Sequence, residues 1–221
     1  MINTKCSFCG KETNGKGISG SERTACKECF MKLTKKIAPE ILLGRTKEDW
    51  YYEGIEYVNA GKKAEGIKRF NKALKLDKNY VDAYNGLGTA YFYTDAGKSE
   101  HYYRKAYLLT KKKFPKWPKK IEWGVLENRQ YLRAIHYYGL MLWRKSNFKK
   151  AMGLFKLLLN LNPNDNQGAR YLVAALYEGY AWGRAPENYE KEEKMLERQN
   201  KIHKFWKWEE EIIQDYKKNA H

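Results

Sequence analysis

No apolar run in the 221 residues approaches the roughly 20 needed to cross a bilayer, and the opening MINTKCSFCG has no apolar signal segment. Both absences lead to the expectation of a soluble, cytoplasmic protein without a membrane partner. Cysteine is missing after position 29, since all four lie at 6, 9, 26 and 29. That clustering excludes a chain-wide disulfide framework and suits a local metal site in a reducing compartment. The four histidines (101, 136, 203 and 221) are scattered, and none sits in a hydrolase or metalloprotease signature. With no triad-like or paired-carboxylate motif either, the chain reads as a non-enzyme. Acidic residues are scarce in one place: residues 111–162 carry 2 against 13 Lys and Arg, and so supply +11 of the net +17. An acidic partner is to be sought there.

The cysteines follow the pattern Cys-x2-Cys, sixteen residues, Cys-x2-Cys. Four thiolates at this spacing close a tetrahedron around zinc, and Gly10 suits the tight turn of the first knuckle. Cys6, Cys9, Cys26 and Cys29 are therefore the expected ligands of one structural Zn²⁺. With all four coordination positions filled by protein, none is left for substrate. Gly10, Gly15 and Lys16 also fit the spacing of a phosphate loop, but Gly17 stands where a magnesium-binding Ser or Thr belongs and no strand precedes. Residues 12–22 read instead as a hairpin between two knuckles. CSFCGK, with CKECFMKLTKKI opening a helix, resembles the small N-terminal zinc domain of Clp-type unfoldases. That resemblance implies a treble-clef- or zinc-ribbon-like docking or dimerising module over residues 1–37. No nucleotide-hydrolysing module follows it, so unfoldase activity does not carry over.

Beyond residue 47 the chain repeats. Gly54, Gly88 and Gly139 head similar segments; the first interval is 34 residues, the second 51, and Val173 lies 34 beyond Gly139. A 34-residue period of paired helices resembles the tetratricopeptide repeat. Trp50, Gly54, Tyr57, Gly61, Phe70 and Ala73 match its motif in the first unit, with Gly66 in place of the usual Ala. Tyr84, Leu87, Gly88, Tyr91, Tyr103 and Ala106 follow in the second, and Gly139, Ala151, Phe155 and Pro163 in the third. A fourth unit starts near residue 167 and is not expected to have a regular partner helix. The fold expectation is mainly α: a tetratricopeptide-type α-hairpin solenoid over 47–182, preceded by the zinc module. Most aromatics are then interhelical packing. The resemblance further implies a non-enzymatic surface that docks proteins or peptides.

It also implies that the fifth position of each first helix faces the concave groove. Tyr51, Asn85 and His136 take that place. Arg129, Arg133 and His136 share one helix face at i, i+4 and i+7, and Arg133 and Arg144 take other groove-side positions. This cluster would recognise the carboxylate of an acidic peptide; the plainer alternative is a solvated helix face with His136 satisfied by a neighbour. The surplus residues between the second and third units form a basic insert, 111–127. Lys111, Lys112, Lys113, Lys116, Lys119 and Lys120, with Trp117 and Phe114 between them, could grip a phosphate backbone while the rings stack on bases. Alternatively the rings plug a neighbouring groove. Pro118 is placed to start the next helix. Residues 187–217 read as one long capping helix with an apolar stripe of Met195, Ile202, Trp206, Ile213 and Tyr216, whose acidic runs would mask the basic third repeat. Two functions follow: an adaptor that docks a protein segment in the groove, or a nucleic-acid-binding protein using the zinc module and the basic segment 111–162.

Overall fold

The computed structural model describes residues 5, 6, 9–12, 18–20, 23–25, 29, 44–186 and 188–219. Near the N-terminus, Lys5 and Glu12 pair across a turn in which the Gly10 N–H donates to the Cys6 carbonyl at 2.9 Å. Gly10 holds a left-handed φ of 74°, which favours a residue without a Cβ. Two short strands follow, β1 (Ile18–Gly20) and β2 (Arg23–Ala25), antiparallel with Ser19 opposite Thr24. A hairpin therefore does lie between the cysteine pairs, displaced a few residues along from 12–22.

The helical body opens on α1 (Lys47–Asn59), started by a capping box in which Thr46 and Asp49 bond each other's backbone N–H. Gly61, at φ 77°, turns the chain into α2 (Lys63–Leu76). Three further pairs follow: α3 (Val81–Tyr91) with α4 (Ala96–Lys113), α5 (Leu126–Arg144) with α6 (Phe148–Leu161), and α7 (Ala169–Tyr177) with α8 (Tyr189–His203). Each helix packs on its hairpin mate; α1 and α2 both pack on α3, α3 and α4 both pack on α5, and α6 packs on α7. The first helices α1, α3 and α5 also touch one another in succession, whereas α2, α4 and α6 make no comparable contact among themselves. That asymmetry puts the first helices on the inner curve of the stack.

The register of the hairpins is set by one repeated contact. A Cβ on Gly54 would sit 2.5 Å from the Phe70 ring, one on Gly88 2.4 Å from Tyr103, and one on Gly139 2.6 Å from Phe155. Each glycine lets its helix close onto an aromatic ring from the second helix, and Phe70 and Phe155 are fully buried as a result. The small residues opposite are Gly66, Ser99 and Ala151; the Ser99 hydroxyl donates to the Gly88 carbonyl at 2.9 Å. In the second hairpin the ring and the small residue both fall one position earlier than in the other two, so its turn has lost a residue.

Four expectations need correction. The fourth unit does have a partner helix: α8 packs on α7, after a connection whose Trp182 wedges between Phe92 and Trp143 at 5.6 and 5.7 Å. Lys111–Lys113 are not insert; they complete the last turn of α4, where the helix dipole favours cations. The irregular stretch is 114–125, broken by Pro115 and Pro118 and tied down by the Ile121 N–H to the Leu161 carbonyl at 2.7 Å, and Pro118 starts no helix. Finally, the C-terminal stretch is two helices, α8 and α9 (Glu209–Asn219). Between them Lys204 takes a left-handed φ of 48°, and the Asn200 side chain both donates to the Trp206 carbonyl and accepts from its N–H. This clamp folds Phe205 and Trp206 back onto the main core. The expected stripe is thereby split: Met195 is buried, while Ile202 and Ile213 are 66% and 48% exposed. Glu187 lies outside the described residues.

Candidate functional site

The inner face is built from equivalent positions. Three residues before the motif glycine stand Tyr51, Asn85 and His136, with Arg170 before Val173. The first three reach the next unit, and Arg170 reaches the segment that follows α8. Tyr51 meets Tyr80 edge-on at 6.0 Å, the Asn85 amide donates to the Gln130 carbonyl at 3.1 Å, His136 Nδ1 lies 3.2 Å from Gln167 Nε2, and Arg170 stands 5.0 Å over Trp206. Tyr51 and Asn85 are buried, so they join repeats rather than present free groups to a partner. Asn85 Oδ1 is enclosed without a hydrogen-bond donor.

Six residues before the glycine the pattern recurs with charge. Arg133 Nε donates to Asp82 Oδ1 at 3.0 Å, and its Nη2 donates to the other carboxylate oxygen. The two residues are 51 apart, the spacing of Gly88 and Gly139, so they occupy the same place in neighbouring repeats. Sequence reasoning found Arg133 and missed Asp82, although the repeat spacing aligns the pair. Burial would weaken the guanidinium as a base, but the Asp82 hydrogen bond and charge hold its pKa above the ordinary value. Tyr51 lies 5.8 Å beneath the same cation; burial, then the Asp82 charge, pushes its phenol well up. Burial takes the half-buried His136 the other way, down to about 4, so the ring is neutral near pH 7.

The remaining arginines also turn inward. Arg129 Nε donates to the Trp123 carbonyl at 2.9 Å, and Arg144 donates to the Phe92 carbonyl. The structure thus brings Arg133 and His136 to one face but commits Arg133 to Asp82 and the other two arginines to carbonyls. One residue beyond each glycine the inner helices carry a half-buried row, Ile55, Thr89 and Leu140, with the Thr89 hydroxyl bonded to the Asn85 carbonyl and to the Tyr103 hydroxyl. No sequence motif singled out that row.

Lys111, Lys112, Lys113, Lys116, Lys119 and Lys120 are exposed. Trp117 is half-buried beside Phe114, which packs edge-on against Tyr131 at 5.1 Å, and both rings lie on the core of the third hairpin. The rings therefore pack on the third hairpin, and the six lysines form an exposed basic surface around them. Among the described residues, Glu190–Glu193 and Glu209–Glu211 form no ion pair with the third repeat.

At the N-terminus the sulfurs of Cys6, Cys9 and Cys29 all lie within 4.8 Å of one another. Ligands about 2.3 Å from a tetrahedral zinc stand a little under 4 Å apart, so the three thiols fit one ion. Cys26, the fourth expected ligand, lies outside the described residues.

No curated protein matches the chain. A TPR repeat is found at residues 54–94, the stretch running from α1 through α2 and α3 to the turn before α4. Repeats of this kind generally mediate protein–protein interaction.

Proposed function

We propose that the protein is a non-enzymatic adaptor that docks a protein segment along the inner face of its hairpins, with one structural zinc ion shaping a separate N-terminal module. The reading rests on the succession of first helices α1, α3 and α5 with their half-buried row of Ile55, Thr89 and Leu140. Because Arg133 is neutralised by Asp82, the segment is recognised by shape and apolar contact rather than by its acidity. Panning a random peptide library against the full chain tests this. The selected peptides lose binding to Leu140→Glu and keep it for a charge change on the opposite surface, such as Lys105→Glu; peptides indifferent to Leu140→Glu sink the groove.

The zinc reading is carried by the three converging thiols. Four thiolates would fill the ion's shell, so it acts as a cross-link for a small fold rather than as a Lewis acid. Metal analysis should give one zinc per chain, absent in Cys6→Ser and Cys26→Ser. A second reading, binding of nucleic acid, is favoured by the six exposed lysines at 111–120. A six-fold Lys→Glu variant then abolishes any low-salt shift of DNA or RNA, and an unshifted wild-type protein removes that reading.

A further inference from the structure

The outer and inner helices of the stack differ in charge. The outer helices α2, α4 and α6 carry 14 Lys and Arg against 2 Asp and Glu, and the inner helices α1, α3 and α5 carry 4 against 6. The positive excess is therefore a property of the outer surface, and it peaks on α4. Between Glu100 and Glu122 the chain carries eight Lys and Arg and no acid. Arg104, Lys105, Leu108, Lys111 and Lys112 stand at i, i+1, i+4, i+7 and i+8, which is one face of a helix. All five are exposed.

The acids of the outer helices are engaged elsewhere: Glu65 pairs with Lys68 and Glu100 with Lys145, both at 2.6 Å. Among the described residues no carboxylate stands within ion-pair distance of Arg104, Lys105, Lys112, Lys113, Lys116 or Lys119. The stripe from 104 to 112 is about 12 Å long at 1.5 Å per residue. That is about the axial run of four phosphates on one strand of a duplex, and the stripe offers four cations. The rings beside it turn inward. Tyr107 stacks on Tyr138 at 5.2 Å, and Phe114 and Trp117 pack on the core of the third hairpin. The apolar side of α4, with Tyr103 and Ala106, is buried in its own hairpin; Leu108, at 48%, is the one exposed apolar group in the stripe.

We propose that the outer face of α4, together with the exposed lysines that follow it, binds a nucleic-acid duplex through its phosphates. This rests on the nucleic-acid reading of 111–120 and moves the centre of the site to Arg104 and Lys105, on the surface opposite the groove. A duplex carries one charge per about 1.7 Å of axis, and cations that meet it gain by releasing its counterions. A single strand depends on rings that stack its bases, and the stripe presents none. Adsorption to lipid needs an apolar face to bury, and that of α4 lies inside its hairpin. Contacts to phosphates alone hold a duplex without reading its sequence.

Fluorescence anisotropy of the full chain with labelled DNA and RNA duplexes of about 20 base pairs, two helical turns, and with one strand of each, tests this. The duplexes bind whatever their sequence. For the DNA duplex, affinity falls with salt at a log–log slope of about −3.6, about 0.9 for each of four phosphate contacts. The single strand binds more weakly, with a slope of about −2.8 for the same four contacts. Arg104→Gln with Lys105→Gln, both exposed, leaves the helical signal intact and makes the duplex slope shallower by about 1.8, the loss of two contacts. Lys191→Gln with Lys201→Gln removes the same charge from the exposed side of α8 and leaves the slope unchanged. Equal slopes for the wild type and the α4 double variant overturn the proposal while leaving the 111–120 reading in place, provided the six-fold Lys→Glu variant has lost binding. A wild-type protein that shifts neither duplex removes both. Single strands bound as tightly as duplexes overturn the proposal, as does an α8 variant weakened as much as the α4 variant. So does capture by vesicles of phosphatidylcholine and phosphatidylserine in equal parts, released by the α4 substitutions, with no duplex bound.

Discussion

The junction between the second and third hairpins and the junction between the third and fourth use the same positions with opposite chemistry. At the first, Asp82 and Arg133 form an ion pair whose side chains are 6% and 17% exposed, and Asn85 backs it with a bond to the Gln130 carbonyl. At the second, Gln167 follows Asp82 and Arg133 at the same place in the repeat but pairs with His136, the equivalent of Asn85, in a loop where the buried Asp165 accepts from the N–H groups of Ala169 and Arg170 at 2.6 and 2.9 Å. A repeat fold needs each unit fastened to the next, but the fastening can be a charge pair or a set of neutral bonds. The difference lies in how each responds to losing a partner or a proton.

The largest expected effect comes from leaving one charge of the first junction alone. Breaking a buried pair by removing one member typically costs about 3–5 kcal/mol, because the surviving charge is stranded. Arg133→Gln and Asp82→Asn should each lower stability by about that much in urea unfolding. The double variant should be less destabilised than either single one, since the second change removes the stranded charge. Additive losses would show that the pair acts through packing instead.

The second junction should respond to pH where the first does not. Burial raises the Asp165 carboxyl from its ordinary 3.8 to about 6, the backbone bonds offsetting part of the rise. The folded chain then holds a proton that the unfolded chain has released, so this group's contribution to stability falls as pH rises from about 4 to 6. His136 does the reverse. Burial lowers it from 6.5 to about 4, the unfolded chain binds the extra proton, and stability rises across nearly the same window. Each slope is on the order of 3 kcal/mol, and in the wild type they oppose one another. Asp165→Asn should expose the His136 slope and make the protein more stable at pH 6.5 than at pH 4. His136→Gln should expose the other and invert the order. Parallel profiles for all three proteins would refute the buried state of both groups.

How far all this was legible in the sequence depends on the range of the cause. The hairpins follow from local patterning: Gly54, Gly88 and Gly139 at matching places, each with an aromatic 15 or 16 residues on. The metal candidate was equally local, a spacing of four cysteines. The inner face was only half legible. Its positions could be counted from the repeat, but whether Arg133 is free or committed depends on Asp82, 51 residues away. The break at Lys204 was not legible, because no Gly or Pro marks it. The turn is made by Asn200, a residue that reads as ordinary helix surface until Trp206 is seen folded beneath it.

If the contrast between the junctions is real, the hairpins themselves should behave alike. Gly88→Ala and Gly139→Ala would each push a Cβ into a buried ring, to 2.4 Å from Tyr103 and 2.6 Å from Phe155. Rings fixed in a close-packed interior cannot move aside without shifting the facing helix, so each change should cost about 1–3 kcal/mol. Similar losses on either side of the charged junction would place the asymmetry between hairpins rather than within them. A marked excess at one glycine would locate it inside that hairpin.

Gly153 gives the smallest and most discriminating shift, because it lies in the same third hairpin with the opposite expectation. It sits mid-helix in α6, is exposed, and has nothing within 4 Å of where a Cβ would stand. Adding the methyl group meets no ring and restricts the unfolded chain, so Gly153→Ala should stabilise by about 0.5–1 kcal/mol. The pair Gly139→Ala and Gly153→Ala then differs in sign within one hairpin, and only the packing of Phe155 accounts for the difference. If Gly153→Ala also destabilises, the outer face of α6 is covered by some other part of the chain or by a second molecule.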